Sequence, residues 1–174
     1  MARGISRLKG RVERSLRLPG DDAWLCLAGE AAWSLPLAVL LCAAGGLVEP
    51  GWTEAPGQLV RLAAVAFVAP ALGEELLFRA ALLPPPGEPG FRRSLALSTA
   101  LFVLWHPPQA LLFGPHWGAV VLNPGFLAAV AVMGVALGRL YRRTGSVWPC
   151  VALHWLVVVG WKAFFGAPSP WIGG

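Results

Sequence analysis

The sequence predicts an all-α fold: a polytopic transmembrane helical bundle of about five spans, preceded by a basic amphipathic segment. Three observations predict it. The 174 residues are 56% hydrophobic and only 13% charged, with mean hydropathy +0.62, whereas a soluble domain carries roughly 25% charged residues. Five apolar runs, at residues 23–48, 59–83, 91–113, 117–141 and 146–165, each approach or exceed the ~20 residues that cross the hydrocarbon core as a helix. The basic residues fall at alternate ends of those runs. Arg3, Arg7, Lys9, Arg11, Arg14 and Arg17 precede the first, Arg92 and Arg93 lie between the second and third, and Arg139, Arg142 and Arg143 close the fourth.

These eleven of the fourteen basic residues set an orientation. Lysine and arginine collect on the cytoplasmic side, which predicts a multi-pass protein of a bacterial-type inner membrane with its N-terminus cytoplasmic. Arg61 and Lys162 fall near the outer ends of their spans. The positive balance follows the membrane, so membrane lipids are the expected partner and no nucleic acid is implied. The loops are too short for a soluble domain. Residues 1–20 form the basic cytoplasmic or interfacial segment, and 21–174 form one transmembrane domain.

In the first segment, basic residues alternate with Ile5, Leu8, Val12, Leu16 and Leu18, a spacing that suits a helix lying on anionic lipid. It has no cleavage site of a secretory signal. Pro84, Pro85, Pro86 and Gly87 end the second run sharply. His106-Pro107-Pro108 interrupts the third, predicting that its helix stops there and that a loop or re-entrant segment follows through His116. Gly134 and Gly138 allow close helix approach in the fourth run. Trp24, Trp52, Trp117, Trp148 and Trp171 fall near span ends, as in an aromatic belt. Cys26, Cys42 and Cys150 have no metal or redox spacing and read as packing residues.

The chemistry concentrates in Glu74-Glu75-Leu76-Leu77-Phe78-Arg79, inside the second apolar run. Charged groups at membrane depth are costly, face a cavity or each other, and mark function by default. Glu75 and Arg79, four apart on a helix, share a face and can pair. Glu74 points about 100° away and is left to face a cavity. At ~1.5 Å per residue, Glu74 and His154 each lie roughly 14 Å from the cytoplasmic ends of their spans, and His106 roughly 20 Å. Three ionisable groups from three spans thus occupy one layer. One glutamate with two histidines can work in two ways. They can hold a divalent metal such as Zn²⁺, with His106, His154 and Glu74 as ligands. Or Glu74 can activate water as a general base while the imidazoles orient it or stabilise an oxyanion. Both hydrolyse an acyl bond.

This cluster resembles the CPBP superfamily of intramembrane proteases, which includes the type II CAAX prenyl endopeptidases and abortive-infection-like proteins. The family pattern is Glu-Glu-x-x-x-Arg, Phe-x-x-x-His and His-x-x-x-Asn on separate transmembrane helices. Here the first is Glu74, Glu75 and Arg79, the second is Phe102 and His106, and the third begins at His154. The resemblance covers roughly residues 60–160. It implies an intramembrane endopeptidase that cleaves a protein or peptide substrate reaching the membrane. Glu74, Glu75, Arg79, His106 and His154 would be its catalytic set, with metal-dependent and metal-free mechanisms both open. The short loops suit the myxosortase-like sorting branch as well as the prenyl branch. In place of the family's Asn, which holds the oxyanion or the water, the chain has Val158.

Other readings of the same residues stand beside this one. The glutamates and Arg79 could form a structural ion pair, His106 could be a helix-end residue and His154 a core histidine bonded to a carbonyl. At the level of the whole protein, Val158 favours a non-catalytic immunity or binding protein of the same fold. Intramembrane Glu and His also build proton-coupled carriers, against which stands the lack of an inverted repeat. Asn123 is a further candidate to supply an amide to the site. Trp105 and Trp155, beside the histidines, read as packing residues, and Glu30 carries no assigned role.

Overall fold

The computed structural model describes residues 2–52 and 56–165. Every regular element among them is helical: α1 (Ala2–Ser15), α2 (Asp22–Ala44), α3 (Pro56–Ala66), α4 (Phe91–Trp105), α5 (Gln109–Val121), α6 (Pro124–Thr144) and α7 (Trp148–Phe164). α3 runs on into two π-helical stretches, Phe67–Glu74 and Leu76–Ala81. Trp171 lies outside the described residues.

α6 is the central helix. Over its apolar window 56% of residues are buried, against 22% for α2 and 17% for the 91–113 run, so the other two turn most of their surface outward. Between helices in lipid there is little hydrophobic drive, and close packing must hold the bundle. Glycines permit that closeness. A Cβ on Gly134 would come 2.9 Å from Thr99 Cγ2, and one on Gly138 would overlap Leu95 Cδ1, so α4 seats directly on this face of α6, as the Gly-x-x-x-Gly spacing predicts. A Cβ on Gly125 would strike the Leu41 carbonyl, which fixes the end of α2 against the start of α6.

Charge adds to the α2–α6 contact. Glu30 is buried, accepts the Trp33 indole at 2.8 Å, and pairs with Arg139 Nε at 3.1 Å and Arg143 Nη1 at 3.5 Å. The sequence left Glu30 without a role because its charged partners lie about a hundred residues away.

Three helical runs are long and apolar enough to cross a membrane: Asp22–Ala44, Phe91–Phe113 and Pro124–Thr144. The other two expected spans differ for physical reasons. The run from Pro56 to Ala81 is broken into α and π stretches and carries Arg61, Glu74, Glu75 and Arg79. α7 is apolar but only 17 residues long.

The third and fourth runs are also divided differently. The segment after His106 is not a loop: the Pro107 and Pro108 carbonyls accept from Ala110 and Leu111 at 3.1 Å and start α5, which carries an exposed His116. Proline suits a first helical turn, where its missing N–H costs nothing. The fourth helix starts at Pro124, not Trp117, because Asn123 caps it, accepting from Gly125 N at 2.8 Å and Phe126 N at 3.4 Å. The Asn123 amide also donates to Gly45 O at 2.8 Å, so this side chain is held by capping and does not reach the glutamates. Trp117 is buried against Phe126 and Lys162 and does not belong to an interfacial belt.

α1 forms, and its C-terminal end is docked. Val147 N donates to Ser15 O at 2.9 Å, Ser146 Oγ to Arg17 O at 2.9 Å and Trp148 Nε1 to Leu16 O at 2.9 Å. Val12 packs on the core, and Arg11 reaches Glu88 at 3.5 Å. The segment therefore clamps the turns at 84–90 and 145–148 together. The three cysteines are free; Cys150 is buried, its thiol against the Leu137 carbonyl at 3.4 Å.

Candidate active site

The acidic pair lies where the helix changes its winding. Pro70 lacks the N–H that an α-helical bond would use, and the backbone around it adopts i→i+5 bonding through Phe67–Glu74. Such turns concentrate at functional sites. Across the junction at Glu75 the two carboxylates separate. Glu75 is fully buried, while Glu74 lines a cavity of about 700 Å³ between α2, the π-helical stretches, α4, α5, α6 and α7.

Glu75 uses both oxygens. Oε2 lies 3.1 Å from Arg79 Nε, and Oε1 lies 2.9 Å from His154 Nδ1. The Arg79 contact is an ion pair whose direction is too oblique for a hydrogen bond. Arg79 is itself fully buried; its Nη1 donates to Ser98 Oγ at 3.4 Å, and its guanidinium lies 4.8 Å from the Phe102 ring centroid. Burying such a charge is tolerable only with compensation of this kind.

Phe102 explains the spacing of the Phe-x-x-x-His motif. One turn before His106, its carbonyl lies 2.8 Å from His106 Nδ1. A carbonyl can only accept, so Nδ1 carries a proton, and in the neutral ring Nε2 keeps its lone pair. The Phe102 ring meets His106 edge-on at 5.1 Å and His154 at 5.9 Å, separating the two imidazoles while supporting both.

Glu74 is held on one side only. Its Oε1 accepts the Trp105 indole N–H at 2.9 Å. Its Oε2 is buried without a hydrogen-bond partner among the described residues and faces His154 Nε2 across 3.9 Å. That gap is too long for a direct hydrogen bond. Trp105, read as a packing residue from sequence, is therefore the carboxylate's only direct donor among the described residues; its adjacency to His106 was the available signal.

All five residues singled out from sequence thus gather around one site: Glu74, His106 and His154 line the cavity, and Glu75 and Arg79 lie behind His154. Val158 lines the same cavity one turn beyond His154. As they stand, no three His, Cys, Asp or Glu side chains among the described residues come close enough to hold a metal ion. No step below runs through a metal.

An apolar cavity inside a helical membrane bundle, with one carboxylate and two imidazoles on its wall and a second carboxylate behind them, suits hydrolysis within the membrane. The chain matches the family described as Type II CAAX prenyl endopeptidase Rce1-like over residues 56–160, more than half its length, and belongs to that family of CAAX-type proteases. No curated protein and no solved structure matches the chain.

Proposed function

We propose that the protein is an intramembrane endopeptidase that cleaves a peptide bond of a membrane-associated protein or peptide, in C-terminal processing or sorting, using water activated by Glu74. The observation that carries this reading is the pair of facing atoms at the cavity wall, Glu74 Oε2 and His154 Nε2, 3.9 Å apart. Water admitted between them has an acceptor for its proton in Oε2. Glu74 takes that proton, and the hydroxide attacks the substrate carbonyl carbon. His154 in its imidazolium form donates Nε2–H to the resulting oxyanion. Glu74 then returns its proton to the amine nitrogen as the C–N bond breaks. His106 plays a different part: with Nδ1–H committed to the Phe102 carbonyl, its neutral ring accepts at Nε2 and orients water. Glu75 and Arg79 do not touch substrate; they hold His154 in place.

A second reading, a non-catalytic binding protein of the same fold, draws on Val158, which offers methyl groups where the family has an amide. The setting in both readings is a bacterial-type inner membrane with the N-terminus cytoplasmic.

The test is cleavage of a quenched peptide carrying a farnesylated cysteine and three C-terminal aliphatic residues, by purified protein in proteoliposomes. Wild type is expected to cleave it, and Glu74→Gln to lose at least the ~10²–10⁴ of general-base catalysis at unchanged folded yield. Chelator is expected to have no effect; chelator-sensitive cleavage restored by Zn²⁺ would sink the metal-free step. Full activity in Glu74→Gln would sink the role of Glu74.

A further inference from the structure

A second cavity, of about 320 Å³, lies where the end of α1 meets the Pro85–Pro86 turn and the turn between α6 and α7. Arg11, Arg14 and Arg17 line it, and no carboxylate does. Arg11 is partly neutralised by Glu88 at 3.5 Å. Arg14 and Arg17 form no ion pair among the described residues; the nearby Glu13 pairs with Lys9 instead, at 3.7 Å. The walls are fixed from both sides. Ser146 and Val147 bond to the carbonyls of Arg17 and Ser15, and a Cβ on Gly145 would lie 3.2 Å from Pro86 Cγ.

Tyr141 adds a donor that is not basic. It is 2% exposed and lines this cavity, and its hydroxyl makes no hydrogen bond among the described residues. The hydroxyls beside it are committed: Thr144 Oγ1 donates to Leu140 O at 2.9 Å, and Ser146 Oγ to Arg17 O at 2.9 Å. A phenol buried this far ordinarily finds a partner, and the cavity is the place left for one.

α2 begins at Asp22 and α6 ends at Thr144, both long and apolar enough to cross a membrane, so the cavity lies at the level of their ends. Leu18, 87% exposed, stands at its rim. Guanidinium groups bind phosphate oxygens through paired, charge-assisted hydrogen bonds, and basic pockets at the ends of spans take anionic lipid headgroups. We propose that this cavity binds a phosphate group, supplied by the headgroup of an anionic phospholipid, with Arg14, Arg17 and Tyr141 as its donors. General attraction of a basic helix to an anionic surface needs neither a cavity nor a phenol, and this site has both. Because the arginines come from the α1 end and the phenol from α6, a bound headgroup ties the two together. Hydrolysis at Glu74 plays no part in it.

Purified full-length protein in neutral detergent is titrated with short-chain phosphatidylglycerol, short-chain phosphatidylcholine and glycerol 3-phosphate, and bound molecules are counted by native mass spectrometry. Phosphatidylglycerol is expected to bind about tenfold more tightly than phosphatidylcholine, the gain of one charge-assisted hydrogen bond. Arg14→Gln with Arg17→Gln is expected to reduce that preference to about twofold or less. Arg92→Gln with Arg93→Gln removes the same charge from exposed residues outside the cavity and is expected to keep the preference. Tyr141→Phe keeps every charge and is expected to weaken phosphatidylglycerol binding about three- to tenfold at an unchanged melting temperature. Glycerol 3-phosphate is expected not to compete. If it binds as tightly as the lipid, and the Arg14–Arg17 pair of substitutions abolishes that binding, the phosphate site stands and the lipid assignment falls. Equal losses in the two arginine pairs would reveal general surface attraction and overturn the site. So would a wild type without preference for phosphatidylglycerol, or a Tyr141→Phe protein that binds it as wild type does. Where the Arg14–Arg17 pair of substitutions does not fold, as judged by gel filtration, Tyr141→Phe against wild type decides.

Discussion

His154 Nδ1 lies 2.9 Å from Glu75 Oε1, while Arg79 Nε lies 3.1 Å from the other oxygen of the same carboxylate. Glu75 therefore links a buried cation to the imidazole at the cavity wall. The i,i+4 pairing within the π-bounded helix also determines where a side chain of α7 points.

Glu75→Gln is expected to lower both stability and activity. Removing one partner of a buried ion pair costs about 3–5 kcal/mol, and the loss is expected as a clear fall in the melting temperature of the purified protein. Arg79→Met should behave similarly. Glu74→Gln should not, because Glu74 faces the cavity. A melting temperature for Glu75→Gln equal to that of Glu74→Gln would contradict this division.

Trp105→Phe removes the only direct donor to Glu74 among the described residues. A hydrogen bond to a charged group contributes about 1.5–3 kcal/mol, so kcat is expected to fall roughly tenfold to hundredfold. Trp105 is half exposed, and stability should change little. Unchanged kinetics would mean that Glu74 is positioned without the indole.

Val158→Asn restores an amide at the cavity wall one turn from His154. Cleavage is expected to stay the same or rise, the latter through kcat if the amide reaches the oxyanion. A loss of more than about tenfold with the fold intact would show that the substrate needs the apolar wall at this position.

A reporter inserted in the 84–90 turn is expected to be cytoplasmic, and one fused after Gly174 external. The eleven basic residues support this orientation. A cytoplasmic signal at Gly174 would mean an even number of crossings, and would bear directly on α7, whose 17 residues are the shortest of the expected spans.

Much of the fold is legible along the chain because its cause is local. Hydropathy marks the apolar runs, and the four-residue step from Glu75 to Arg79 or from Phe102 to His106 is a property of any helix. These features are enough to separate Glu74 from Glu75 and to put Glu74, His106 and His154 at similar depth. They also reveal the break at His106, although not the helix that resumes after Pro108, which depends on the two prolines serving as a first turn rather than as a loop.

Partner choice is not local. Glu30 finds Arg139 and Arg143, Trp105 turns its indole to Glu74, and Lys162 points inward over Trp117. Each depends on how helices distant in sequence are rotated against one another. That rotation is set by the close seat of α4 on Gly134 and Gly138 and by the π turns around Pro70. Hydropathy determines that charges lie inside a membrane bundle; packing determines which atoms they face.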